Sequence, residues 1–89
     1  MIPKNRIPSH PGEVLYEDFL VPKKISQVEL ARKMNVPIQR VNTLINGKRD
    51  MSPETAILLS RVLGTTPEFW MNLQTTRDLA VAQHNMALV

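Results

Sequence analysis

Ser26-Gln27-Val28-Glu29-Leu30-Ala31-Arg32-Lys33-Met34-Asn35-Val36-Pro37-Ile38-Gln39-Arg40-Val41-Asn42-Thr43-Leu44-Ile45-Asn46-Gly47 is the stretch on which the fold turns. Ser26 followed three residues later by Glu29 is a capping box, in which serine and glutamate each satisfy a backbone donor left free at the start of a helix. Leu30, Ala31 and Met34 continue that helix along one apolar side. Asn35 tolerates left-handed backbone, and Pro37 is expected to restart a helix in its first turn, with Val41, Leu44 and Ile45 apolar. Asn46-Gly47 closes it, since glycine enters the left-handed cap without a Cβ clash. The spacing predicts two short helices joined by a sharp turn, within 26–46.

Working outward, His10-Pro11-Gly12-Glu13 opens a first helix with Val14, Leu15, Phe19 and Leu20 as its stripe. Pro22 is expected to stop it, leaving 23–25 as a turn. Downstream, Ser52-Pro53-Glu54 opens a fourth helix that runs through Ala56, Leu59, Val62 and Leu63 to Gly64, and Thr66-Pro67-Glu68 opens a fifth carrying Phe69, Trp70, Leu73, Leu79 and Ala80. Its apolar end, Met86 to Val89, is expected to fray. No segment alternates long enough to compete as a strand. The expectation is an all-α, five-helix, single domain over 1–89, with a flexible arm over about 1–8.

The chain has 89 residues, the size of one small domain, whose core supplies modest stability that dimerisation would supplement. Hydrophobic residues make up 43% and charged residues 21%, which argues against disorder. Eleven Lys and Arg against eight Asp and Glu give a net charge of +3, and the pI is near 9.7, a balance that favours a polyanionic partner without requiring one. Without cysteine there are no disulfides, thiolate nucleophiles or cysteine zinc sites. Met1 to Pro8 carry Lys4 and Arg6 but no apolar run of signal-peptide kind, and no stretch reaches membrane-spanning length, so the cytoplasm is expected.

The central pair forms a helix-turn-helix only if its inner faces meet at a steep angle. Ala31 is small where the helices would approach, and Leu30, Met34, Val36, Val41 and Leu44 are apolar where they face the core. The outer side is then Ile38, Gln39, Arg40, Asn42 and Thr43. Gln pairs with adenine, Thr and Ile methyl groups suit the thymine methyl, and Asn or Arg reach base edges or phosphates. Gln27, at the positive end of the second helix, is placed to hold a phosphate, and Asn46, Lys48 and Arg49 would hold the backbone on the other side. A polar helix face is ordinarily just solvated, and Lys48 and Arg49 by themselves read that way. Over 26–46, however, capping, small, apolar and polar positions all fall where DNA recognition needs them.

No catalysis, cofactor or small-molecule substrate is expected. The two histidines, His10 and His84, lie near opposite ends, and no nucleophile, base and acid can be grouped. His10 and Glu13 are spaced like some metal ligands, but the helix-start reading is stronger, so no metal is expected. Glu13 and Glu17 share a solvated face. Gly12, Gly47 and Gly64 stand singly at helix ends and build no phosphate-cradling loop.

Ser26-Gln27-Val28-Glu29-Leu30-Ala31, Val41-Asn42, Asn46-Gly47-Lys48-Arg49, Ala56, Leu59 and the run from Gly64 to Gln74 together resemble the Xre/Cro repressors, whose domain is lambda-repressor-like. His10-Pro11-Gly12-Glu13 and Pro67-Glu68-Phe69-Trp70 narrow the resemblance to HigA-type antitoxins, over about residues 8–75. Asn35 departs mildly from the family, which most often has glycine there. The resemblance implies a homodimer that binds a palindromic operator, represses its own operon and neutralises a HigB-type toxin, a ribosome-dependent ribonuclease. It also implies dimerisation through the fifth helix, from about residue 67. Trp70, Leu73, Leu79, Met86 and Leu88 are its candidates, with core packing the competing reading for Phe69 and Trp70. A regulator of this fold without a toxin, and an interaction module that has lost DNA binding, are the alternatives.

Overall fold

The first helix starts at an imidazole: His10 Nδ1 accepts the Gly12 N–H at 2.9 Å, and Pro11 takes the first helical position. In the computed structural model, which describes residues 7–87, this helix, α1, passes through three registers. It is α-helical over Pro11–Val14, π-helical over Leu15–Leu20 and α-helical again over Val21–Lys23. Pro22 therefore does not stop the helix as expected but lies in its last turn. The wide turns explain how. In a regular helix the proline ring would press on the carbonyl four residues back, whereas here Val21 N–H reaches back to the Tyr16 carbonyl and the coil is opened ahead of the ring.

Lys24 ends α1 in the left-handed region, at φ 56° and ψ 41°. Its N–H bonds the Val21 carbonyl at 3.2 Å and Ile25 N–H bonds Leu20 at 3.0 Å, the Schellman pattern. Helix α2, Gln27–Met34, starts on Ser26, whose Oγ accepts Glu29 N–H at 3.0 Å. The reciprocal half of the capping box is not made, because the Glu29 carboxylate turns to Lys33, 3.7 Å away. Asn35 repeats the left-handed ending at φ 57°. Pro37 then stands just ahead of α3, Ile38–Ile45, as its extended cap residue instead of within the first turn. Helix α4, Pro53–Leu63, is capped by Ser52 and closed by left-handed Gly64. Helix α5, Pro67–Ala87, begins where Thr66 Oγ1 accepts Phe69 N–H at 3.1 Å. No strand occurs among the described residues.

α2 packs on α3, α4 on α5, and α1 spans both pairs. Leu15, Leu30, Val41, Leu44 and Leu59 fill the middle with essentially no exposure, and Ala31 is buried where α2 lies against its neighbours. Each such leucine contributes on the order of 2 kcal/mol by leaving water. Trp70, proposed from the sequence as a dimer contact or a core residue, belongs to the core. It is wholly buried in a single chain, packed on Phe19 and Phe69 at centroid distances of 5.2 and 4.9 Å, with its indole N–H donated to Thr65 Oγ1 at 2.7 Å. A ring with no accessible surface cannot touch a second copy.

The remaining interface candidates differ among themselves. Leu73 is half-buried and, with Val14 and Phe69, lines an open groove of about 250 Å³ beside the start of α1. Leu79 and Met86 are 57% and 75% exposed on the part of α5 that extends past the body. Leu88 lies outside the described residues, as does most of the expected arm.

Candidate nucleic-acid interface

Burying Val41 and Leu44 decides which way α3 faces. At 100° per residue, that choice turns Ile38, Gln39, Asn42 and Asn46 outward, and all four are exposed. Three pieces of chain converge there: the first turn of α2, the outer side of α3 and the loop that follows it.

A chain of amides ties them together. Asn46 Nδ2 donates to Asn42 Oδ1 at 3.2 Å, and Asn42 Nδ2 donates to Gln27 Oε1 at 3.2 Å. With its carbonyl so occupied, partly exposed Gln27 has its NH2 group left to donate, at the end of α2 where free backbone N–H groups and the helix dipole also favour an anion. Thr43, half-buried, donates its hydroxyl to the Gln39 carbonyl at 2.7 Å and accepts from Arg49 Nε at 3.3 Å. Arg40 is the exception among the expected readers. Its position carries it to the flank facing α4, where Nη1 lies 3.3 Å from Glu54 Oε1.

The loop carrying Lys48 and Arg49 is fastened at both ends. Gly47 N–H and Lys48 N–H bond the Leu44 and Thr43 carbonyls at 3.1 and 2.9 Å, with Gly47 left-handed at φ 73°. At the far end Met51 is buried, and its N–H is held at 2.7 Å by Oε1 of the buried Gln74, whose own amide is fixed by Asp78 at 2.8 Å. Lys48, Arg49 and the Asp50 that follows them are all exposed.

Beneath this loop lies a part of the site that sequence reasoning missed. Gly12 runs directly against the end of α3, so closely that an added methyl would overlap the Leu44 carbonyl oxygen. His10 is 7% exposed, Gly47 turns beside its ring, and its Nε2 points at Asp50 Oδ1, 3.6 Å away. The only advance signal was the quartet His10 to Glu13 itself, which reads as a helix start and says nothing of what it packs against. Among the described residues no three His, Asp or Glu side chains gather as a metal site would need. Among the same residues no helix is long and apolar enough to cross a membrane.

An outward, amide-rich helix propped on a second short helix and flanked by basic loop residues defines the helix-turn-helix class of DNA-binding proteins. The helix-turn-helix family matches residues 17–70. Antitoxin HigA-1 of Vibrio cholerae is 45% identical over 74 residues, covering 83% of this chain and 70% of that protein. Among solved structures, the Pseudomonas aeruginosa antitoxin HigA with the higBA promoter superposes with a TM-score of 0.81 at 43% identity, over 84% of this chain and 82% of the other. Antitoxin GraA in complex with its operator gives 0.84 at 39% identity, over 99% and 91%. The chain belongs to the helix-turn-helix family, within its HigA-like antitoxins and repressors.

Proposed function

We propose that this protein binds a two-fold symmetric operator as a homodimer, represses its own operon from the cytoplasm and neutralises a HigB-type toxin. The observation that carries the DNA part is the exposed row Ile38, Gln39, Asn42 and Asn46, bracketed by Gln27 on one side and by Lys48 and Arg49 on the other. In this reading α3 enters the major groove, Gln39 and the methyl groups of Ile38 and Thr43 read base edges, and Gln27, Asn46, Lys48 and Arg49 hold phosphates. Two subunits place their third helices in successive major grooves, about 34 Å apart. Two relatives solved on promoter or operator DNA support the same reading. The toxin part rests on the likeness to antitoxins alone.

Mobility shift on the protein's own promoter, with salt titration, tests the DNA part. Binding that weakens linearly with log salt is expected, and absence of binding at low salt rejects it. Co-purification with a small basic partner encoded beside it tests the toxin part, and failure to find one leaves a stand-alone repressor of the same fold.

A further inference from the structure

His10 does more than start a helix. Because its Nδ1 accepts the Gly12 N–H, the ring proton sits on Nε2, and that N–H is buried without a hydrogen-bond partner. A buried donor left unpaired is costly, and the acceptor it faces is the carboxylate of Asp50, 3.6 Å off and itself largely in solvent. Asp50 directly follows Lys48 and Arg49, where a negative charge beside a phosphate would oppose them. We propose that His10 is a positioning residue for DNA binding: its Nε2–H captures Asp50 as the loop settles on DNA. The carboxylate is thereby drawn down and away from the phosphates, and Lys48 and Arg49 are aimed at them. Gly12, backbone to backbone with the end of α3, fixes the imidazole relative to the reading helix. The proposal rests on the reading of Lys48 and Arg49 as phosphate contacts.

The side-chain amides of Asn and Gln separate the two ends of the imidazole. His10→Asn retains an acceptor for the Gly12 N–H but lacks the arm toward Asp50. His10→Gln reaches toward Asp50 but loses the cap. Binding of the full chain to an operator duplex is measured against salt, beside the melting temperature. His10→Asn is expected to melt close to the parent and to bind roughly tenfold more weakly at moderate salt. Its log-log salt slope should be shallower by about one per subunit and its base preference unchanged. His10→Gln is expected to melt lower and to keep the parental slope.

Parental affinity and slope in His10→Asn would overturn the proposal. If Lys48→Ala and Arg49→Ala themselves leave the slope unchanged, the phosphate reading fails and the proposal with it. If they flatten the slope and His10→Asn does not, the proposal alone fails. On the unaltered protein, nitrogen-15 spectra should show the Nε2 proton of His10 moving downfield and exchanging more slowly when operator is added, and a signal indifferent to DNA would overturn it as well.

Discussion

At Gly12 two backbones touch, and no side chain of any size fits between α1 and the Leu44 carbonyl. Gly12→Ala is therefore expected to destabilise the protein by about 3 kcal/mol or more, seen as a lowered denaturation midpoint with little change in slope. Lys24 is the opposite case. A lysine held left-handed costs about 1–2 kcal/mol, and glycine relieves this at the expense of about 0.5–1 kcal/mol of extra freedom in the unfolded chain. With Lys24 exposed, Lys24→Gly should raise stability by up to about 1 kcal/mol, several degrees in melting temperature for a domain of this size. An unchanged or lower melting temperature would mean that the lysine side chain contributes something glycine cannot. Both constraints escaped sequence reading for one reason. A glycine at a helix start and a lysine in a turn look ordinary until the neighbouring backbone and the dihedral angles are known.

The elements themselves were largely readable, because caps and apolar spacing act within a few residues. Ser26, Asn35, Ser52, Gly64 and Thr66 mark ends that the structure places where expected. Pro22 misled because its effect depends on the register of the turns before it, and Pro37 because it caps α3 from outside. Side-chain partners distant in sequence were not readable: Gln74 with Met51, Arg40 with Glu54, His10 with Asp50. Within α3 this difference has a measurable result. Gln39→Ala or Thr43→Ala should cost roughly 1–3 kcal/mol at particular base pairs. Arg40→Ala should leave base preference nearly unchanged, since Arg40 is turned to α4. Binding to operators with single-base replacements distinguishes them, and a sharp change in preference for Arg40→Ala would return that residue to the reading face.

For the molecule as a whole, the tail of α5 is the surface on which the proposed pairing of two copies is to be tested. The described body measures 44 × 22 × 21 Å, and Leu79, Val81 and Met86 are exposed along an extension that one chain leaves uncovered. If two copies pair there, Leu79→Asp should weaken the dimer by roughly 2 kcal/mol or more while sparing the fold, because an exposed residue contributes little to the core. Sedimentation at micromolar concentration should then show monomer, and operator binding should fall in parallel. A variant that remains dimeric would move the interface elsewhere, for example to the groove lined by Val14, Phe69 and Leu73.

The sealed indole of Trp70 gives the protein a built-in optical gauge. It is the sole tryptophan in the sequence, packed edge-on and tilted against Phe69 and Phe19, so its emission should be blue in the native state and shift to longer wavelength only when that aromatic trio comes apart. Fluorescence can thus follow denaturation of every variant discussed above without an added dye, and a red-shifted native spectrum would mean that water reaches the ring.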